Sequence, residues 1–317
     1  LIWNKTVTVN PQSRHFIDYN QALSHSQTEA VPDAGAADEK DARMTTITSL
    51  QALRDRLAPS DRMPVVFLGH GSPMNAIEDT EYSRSWTELG RNLPRPRAIL
   101  VVSAHWMTKG TTLVDVSALP KTIYDFYGFP DALYAEKYPA QGDPALAREV
   151  VSLLASHHAE EDDTWGLDHG AWTILKFLYP EADVPVFQVS IDMSKGLGYQ
   201  LEIGKTLSEL RDRGVLILGS GNVVHNLRAL RFDGQVHDFA TEFDTLFEDK
   251  LTDRDFGGLA DANKLGSLLR MAHPSVDHYL PALTIAGASD AGDDLTFMTG
   301  SIDLGAVSMR SFVFHPR

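Results

Sequence analysis

Short apolar runs recur along the chain from Met63 onward, and they predict the strands of a buried sheet. Each run is nearly continuous in hydrophobic residues, which is typical of strands that are covered on both faces. Four runs have this character: Pro64–Gly69, Ala98–Ala104, Val184–Ile191 and Val215–Ser220. A fifth run, from Val307 to Phe314, is a possible closing strand.

Stretches with helical character separate these runs. They are Pro144–Ser156, Gly170–Leu178, Gln200–Arg213 and, late in the chain, Tyr279–Gly287. Strands that alternate with helices predict an α/β fold, in which a central, largely buried β-sheet carries helices on both faces. We find no internal repeat and no low-complexity run between residues 63 and 317, so we expect one domain.

The first 43 residues differ from the rest of the chain. The segment from Ser24 to Asp41 is rich in Ala, Glu, Asp and Ser and has little periodicity, which favours disorder. Met44 then begins a helix-like segment. We therefore expect residues 1–43 to be a disordered extension or the product of an upstream start, and residues 44–317 to form the folded domain.

Composition excludes several kinds of partner. The chain carries 28 Lys and Arg against 43 Asp and Glu, a formal net charge of −15. Such a chain repels a phosphate backbone, so nucleic acid is not an expected partner. No stretch approaches the roughly 18 apolar residues of a membrane span, and the first residues do not form a signal-peptide hydrophobic region. We therefore expect no membrane partner and a cytoplasmic location.

The absence of cysteine restricts the chemistry further. With no cysteine in the chain, disulfides, thiolate nucleophiles, iron–sulfur clusters and cysteine-based zinc sites are excluded. Any metal site must therefore use His, Asp or Glu.

Four histidines lie at the ends of predicted strands or in glycine-rich turns. His70 follows the first strand, His105 the second, and His225 lies just past the fourth, while His169 has Gly170 beside it. Ligands of an open α/β sheet bind in the crevice at the carboxyl ends of the strands, where side chains distant in sequence can converge. Each histidine alone would more often be structural, but together they indicate a metal site.

A fifth candidate, His278, lies late in the chain. Asp277 precedes it, and either residue could bind a metal. Near the middle of the chain, the run from Thr122 to Tyr138 is dense in aromatic residues. These residues either line a flat aromatic pocket or form an ordinary packed cluster.

Five motifs that contain these histidines occur in one order along the chain. They are Gly69-His-Gly-Ser-Pro-Met-Asn75, Ser103-Ala-His-Trp106, Leu167-Asp-His-Gly-Ala-Trp172, Ser220-Gly-Asn-Val-Val-His-Asn-Leu227 and Asp277-His-Tyr-Leu-Pro281. As an ordered set they resemble the class III extradiol ring-cleavage dioxygenases of the DOPA 4,5-dioxygenase type. The resemblance covers roughly Met63 to Phe314.

The resemblance implies a catalytic domain over residues 44–317 that opens a catecholic ring beside its two hydroxyls. It also implies a small, DOPA-like catecholic substrate cleaved at the 4,5 position, with O₂ as the second substrate. The implied cofactor is one divalent metal per chain, with Fe(II) for activity and Zn(II) as the metal often found in bacterial relatives. The resemblance leaves the oligomeric state open.

Site residues are carried over from the resemblance position by position. His70 and His105 match the first two metal ligands, and His225 and His278 match positions described as metal-binding. His169 matches a histidine near the substrate. In more distant class III enzymes the third ligand is a glutamate, and the counterpart of His225 is an acid/base catalyst.

Two ligand sets therefore stay open. In one, His278 or Asp277 is the third ligand and His225 lies nearby; in the other, His225 belongs to a site of four histidines. A histidine that titrates near pH ~6.5 can take a proton from a catechol hydroxyl and return it later. His169 and His225 are the candidates for that catalytic role, and Asp168 is a candidate to orient its neighbour.

Two other functions are compatible with a histidine site. A zinc-dependent hydrolase would activate water instead of O₂, although the chain has no His-Glu-x-x-His motif. A non-catalytic zinc-binding protein on the same fold would hold its ion in a closed four-histidine site with no position left for substrate.

Overall fold

The structure, a computed structural model, describes residues 62–317, so residues 1–43 and the helix-like segment after Met44 lie outside the described part. The strands are β1 Val65–Gly69, β2 Ala98–Ser103, β3 Met107–Thr108, β4 Thr112–Asp115, β5 Ala159–Asp162, β6 Val186–Gln188, β7 Ile191–Asp192, β8 Val215–Gly221, β9 Asp294–Phe297, β10 Ile302–Asp303, β11 Val307–Ser308 and β12 Phe312–His315. The α-helices are α1 Glu81–Asn92, α2 Asp131–Ala135, α3 Pro144–Leu153, α4 His169–Leu178, α5 Leu197–Leu207, α6 Asp238–Thr252, α7 Phe256–Leu259, α8 Ala262–Ala272 and α9 Leu280–Ala288.

A six-stranded sheet lies at the centre, in the order β6-β2-β8-β1-β12-β9. Strands β6, β2, β8 and β1 are parallel, and β12 and β9 add antiparallel pairings at one side. Strand β8 lies between β1 and β2, although those two strands come first in the sequence. The strand order thus reverses at this point, and the crevice at the carboxyl ends of such strands is where open α/β sheets bind ligands.

Both faces of the sheet are covered by helices. Alternate residues of β1 point to opposite sides. Val65 and Phe67 pack with apolar side chains of α3, α5, α6 and α9, whereas Val66 and Leu68 pack with those of α1 and α4. All four of these strand residues are buried. The predicted α/β class, with a central and largely buried sheet between helices, is confirmed.

The predicted strand Val184–Ile191 is in fact two strands. Its first part, β6, belongs to the central sheet, while its second part, β7, pairs with β3 in a separate two-stranded sheet. The change of partner occurs over two residues. The backbone N–H of Val189 donates to Val101 in the central sheet, whereas that of Ser190 donates to Leu113 outside it.

The predicted closing strand Val307–Phe314 is also divided. Strand β11 pairs with β10, and β12 pairs with β1 and β9. Between them the Ser311 hydroxyl accepts a hydrogen bond from the backbone N–H of Gly69 at 3.1 Å. This side-chain oxygen satisfies a donor at the end of β1 that the interrupted strand would otherwise have satisfied.

The predicted helices are present with shifted bounds. The Asp168 side chain caps α4 by accepting from the backbone N–H of Ala171. The predicted helix Gln200–Arg213 is α-helical only to Leu207 and continues as a 3₁₀ helix that ends at Gly214. The sequence patterns did not indicate α1, α6 or α8. Within residues 62–317, no helix combines the length and the apolar content needed to cross a membrane.

Helices α5 and α9 approach each other closely through glycines. A Cβ atom at Gly204 would lie 2.0 Å from the carbonyl oxygen of Thr284, and one at Gly287 would lie 2.2 Å from that of Leu201. Both distances are far below van der Waals contact with backbone atoms that cannot rotate away. The two helices would have to separate to accept a larger residue at either position.

We therefore expect Gly204→Ala to lower the free energy of unfolding by ~1–3 kcal/mol, as overpacking of a core does. Urea denaturation of the two proteins measures the difference. Gly198→Ala in the same helix is a matched control, because no heavy atom lies within 4 Å of its Cβ position. Equal unfolding midpoints for wild type and Gly204→Ala would contradict the close approach of these helices.

Candidate metal centre

Five histidines from separate parts of the chain form one cluster at the carboxyl ends of the central strands. The ring centroids of His70, His105 and His278 are 5.0, 5.2 and 4.9 Å apart. His169 lies 3.9 Å from His105, and His225 lies 3.5 Å from His278. The structure thus brings together all five histidines that the sequence singled out as site residues.

The cluster is mostly enclosed but not sealed. His70 and His278 are only 1% and 4% exposed. The side chain of His105 keeps 18% of its surface exposed, and His225 is half-buried. A small molecule can therefore approach the cluster at these two residues.

A short hydrogen-bond chain determines which nitrogen of His70 carries the proton. The Ser220 hydroxyl, at the end of β8, donates to the carbonyl oxygen of Gly170 at 2.6 Å. Because a hydroxyl has only one proton to donate, its oxygen must accept from Nδ1–H of His70 at 2.9 Å. Nε2 of His70 is therefore unprotonated, and it lies 3.1 Å from Nε2 of His105.

The carboxylate of Asp125 favours a proton on Nδ1 of two further histidines, His105 and His169. Its Oδ2 accepts from Nδ1–H of His169 at 2.9 Å and lies 3.2 Å from Nδ1 of His105. Its Oδ1 accepts from the backbone N–H of His169 at 2.8 Å. Burial opposes ionisation of this carboxyl, but the two histidines outweigh burial and hold the pKa of Asp125 below its usual value. An ionised carboxylate only accepts, so Nδ1 of His169 carries a proton. The same carboxylate, 3.2 Å away, favours a proton on Nδ1 of His105.

His278 is oriented by its own neighbour. Asp277 Oδ2 accepts from Nδ1–H of His278 at 2.5 Å, which leaves Nε2 of His278 free as well. The ring of His225 stacks on that of His278 with an interplanar angle of 8°. Ligand atoms of His225, Asp277 and His278 lie within 4.8 Å of one another, as do ring nitrogens of His70, His105 and His169.

These donors fit a divalent transition metal. The Nε2 atoms of His70 and His105 face each other at 3.1 Å, and two ring nitrogens this close are stabilised by a shared proton or by a bound cation. Metal–imidazole distances are ~2.0–2.1 Å, and imidazoles arranged tetrahedrally around one ion have ring centroids about 5 Å apart. The separations among His70, His105 and His278 agree with that value.

The histidines differ in their affinity for protons. Burial, followed by the proximity of other histidines, holds the pKa of His70 and of His225 well below the usual value. Burial likewise holds the pKa of His105 well below the usual value, and His169 adds to this effect. Burial lowers the pKa of His169, but the charge of Asp125 outweighs burial, so the pKa is raised. His70, His105 and His225 are thus neutral, which is the form of imidazole that binds metals.

The expectation that Asp168 orients His169 is wrong. Asp168 accepts from the Ser103 hydroxyl at 2.6 Å and from the side chains of Trp165 and Gln188 at 3.2 and 3.1 Å. These bonds tie the start of α4 to Ser103 at the end of β2 and to Gln188 at the end of β6.

Asp125 takes the orienting role, and the sequence analysis did not identify it. It is one of three carboxylates inside the aromatic run Thr122–Tyr138, with Asp131 and Glu136, and it lies 44 residues before His169. The available signal was its immediate neighbours: a carboxylate between Tyr124 and Phe126 needs a polar partner when it is buried.

Most of that aromatic run is ordinary core packing. Tyr138 is 2% exposed, and its hydroxyl donates to the carbonyl oxygen of Tyr179 at 2.9 Å. Phe126 differs, because its ring meets that of His169 edge to face with centroids 5.6 Å apart. One aromatic ring of the run therefore borders the histidine cluster.

Known proteins resemble this chain over most of its length. The sequence model of the family described as "Catalytic LigB subunit of aromatic ring-opening dioxygenase" matches residues 64–308. A 4,5-DOPA dioxygenase extradiol of Escherichia coli (strain K12) is 45% identical over 82% of this chain and 97% of its own length. A protein of the same name from Beta vulgaris is 38% identical over 78% of this chain and 95% of its own length.

A solved structure agrees with these matches. The crystal structure of an uncharacterized protein from Escherichia coli K12 superposes with a TM-score of 0.70 at 41% identity, and it covers 80% of this chain and 100% of its own. All five histidines lie inside the span matched by the family. The matches weigh against the zinc-dependent hydrolase and against the non-catalytic zinc-binding protein. The chain belongs to the family of the catalytic LigB subunit of aromatic ring-opening dioxygenases, and it is a metal-binding extradiol dioxygenase that cleaves catechol rings.

Proposed function

We propose that this dioxygenase cleaves a small, DOPA-like catechol at the 4,5 position and that Fe(II) is its working metal. The observation that carries the proposal is the convergence of the Nε2 atoms of His70 and His105, 3.1 Å apart. The names of the relatives from Escherichia coli and Beta vulgaris support the substrate class. Zn(II) would fit the same imidazoles, but it has no redox chemistry to offer O₂.

His70, His105 and His278 form the core of the proposed ligand set. Nδ1–H of His70 and of His278 donates to Ser220 and to Asp277, respectively, and Nδ1 of His105 lies 3.2 Å from the carboxylate of Asp125. Such acceptors fix the ring orientation and make the other nitrogen a better ligand. A divalent metal held by these residues would supply the binding positions and the redox chemistry that a catechol and O₂ require.

His225 has two possible roles in this proposal. Its low pKa and its place beside Asp277 and His278 favour a fourth ligand. Its stacking on His278 at 3.5 Å favours a neighbour that acts as acid or base, because rings bound to one ion stand about 5 Å apart. Metal content of a His225→Ala variant separates the two roles: a ligand loses the ion, whereas an acid/base retains it.

We propose His169 as the acid/base residue beside the substrate. Its Nδ1–H is held by Asp125, so Nε2 is the atom that can accept a proton from a catechol hydroxyl. The carboxylate of Asp125 then stabilises the imidazolium that forms. Phe126 meets the same ring edge to face and helps to keep water away from it.

Reconstitution with defined metals tests the function. Apoprotein loaded anaerobically with Fe(II) should, on addition of DOPA and O₂, consume one O₂ for each ring opened and form a yellow product. The Zn(II)-loaded protein is the matched control and should form none. Turnover of an unsubstituted catechol without turnover of DOPA would contradict the substrate class, and no oxygen uptake with either compound would contradict the proposed function.

A further inference from the structure

We propose that Asp125 is a positioning residue that acts on two histidines at once. It directs the ligand nitrogen of His105 toward the metal and the basic nitrogen of His169 toward the substrate. One carboxylate thereby couples metal binding to proton transfer. The part that concerns His169 rests on the proposed function; the part that concerns His105 depends only on metal binding.

The coupling follows from how the contacts of Asp125 are distributed. A single oxygen, Oδ2, faces Nδ1 of His169 at 2.9 Å and Nδ1 of His105 at 3.2 Å. The other oxygen accepts the backbone N–H of His169 at 2.8 Å. His105 follows β2, whereas His169 begins α4. The carboxylate cannot shift toward one ring without lengthening its contact to the other.

Without this carboxylate, the rings of His105 and His169 would lose the contact that fixes their orientation. A neutral imidazole with no partner at Nδ1 can carry its proton on either nitrogen. With the proton on Nε2, that nitrogen of His105 cannot bind a metal and that nitrogen of His169 cannot accept a proton. The ring centroids of these residues are only 3.9 Å apart, so a rotation of one ring also displaces the other.

The contacts of Asp125 differ from those of a residue that only holds the fold together. Asp168 is 0% exposed, and its bonds join several elements of the core. The side chain of Asp125 is 17% exposed, and the bonds described above all go to the two site histidines. A change at Asp125 should therefore alter the site more than the stability of the protein.

The decisive variant is Asp125→Asn, which keeps the shape of the side chain. Its single amide oxygen cannot replace both carboxylate oxygens, so the amide NH₂ must face either the backbone N–H of His169 or the two ring nitrogens. We expect affinity for Co(II) to fall ~10–100-fold, as for other residues that support a ligand, and the Co(II) absorption spectrum to change. At saturating Fe(II), kcat for DOPA should also fall, with a smaller change in KM.

Matched variants separate positioning from general damage. Asp143→Asn changes the cap of α3, where Asn serves as well as Asp, and it should leave Co(II) affinity and spectrum unchanged. Asp125→Glu keeps the charge and should retain more affinity than Asp125→Asn. It also provides the comparison if the asparagine variant fails to fold.

A double variant separates the effect of Asp125 on His105 from its effect on His169. In a His169→Ala protein, Asp125→Asn should still weaken Co(II) binding through His105 but should lower kcat no further. Wild-type affinity and spectrum in Asp125→Asn, or a lower melting temperature alone, would overturn the proposal. If wild-type protein fails to cleave DOPA while Asp125→Asn still alters Co(II) binding, the proposed function is wrong but the role of Asp125 toward His105 stands.

Discussion

Replacing His70 with alanine should abolish turnover and reduce the metal content to a small fraction of one ion per chain. His70 supplies an unprotonated Nε2 that lies 3.1 Å from that of His105. Its removal takes away a ligand and also leaves the Ser220 hydroxyl without its donor. The loss of affinity should exceed the ~10–100-fold that follows loss of a supporting residue.

Elemental analysis of the purified variant measures this effect. A thermal shift gives a second readout, because an ion that binds only the folded state raises the melting temperature of wild type and should not raise that of His70→Ala. His157→Ala is a matched control, since His157 is half-buried and bonds to Thr206 at 3.2 Å, outside the cluster. Full metal content in His70→Ala would refute the assignment.

The second large effect is expected for His169→Ala, which should keep its metal and lose catalysis. The Nε2 of His169 is the proposed proton acceptor, and acid/base groups typically contribute ~10²–10⁴-fold to the rate. We therefore expect kcat to fall by that factor while KM changes little. Oxygen uptake and metal content should be measured on the same sample.

The result for His169→Ala is informative because the geometry also permits His169 to be a metal ligand. A ring nitrogen of His169 lies within 4.8 Å of those of His70 and His105. Loss of metal together with activity in His169→Ala would place this histidine among the ligands. Retention of both would show that His169 has no part in either process.

The bends and close approaches in the fold could not be predicted from local patterns. The run Val184–Ile191 is apolar except at Gln188 and Ser190, and neither of these residues by itself indicates that the strand changes partner there. That point is set by acceptors on Val101 and Leu113, which are distant in sequence. In the same way, Gly204 is required because the carbonyl oxygen of Thr284 lies against it.

The sequence by itself determined the class of the fold, the strand ends that carry His70, His105 and His225, and the family. Continuous apolar runs reveal buried parallel strands, because burial on both faces removes the polar alternation. Parallel strands then place the residues after them at one edge of the sheet. These properties depend on local order along the chain, so they can be read from it.

Only the tertiary structure decided how the histidines are oriented. The choice of proton position on His70 depends on Ser220, and that on His105 and His169 depends on Asp125. These partners lie between 20 and 150 residues away from the histidines they bind. A hydrogen bond extends only ~3 Å, so which donor meets which acceptor is settled when the chain has folded, and no spacing in the sequence records it.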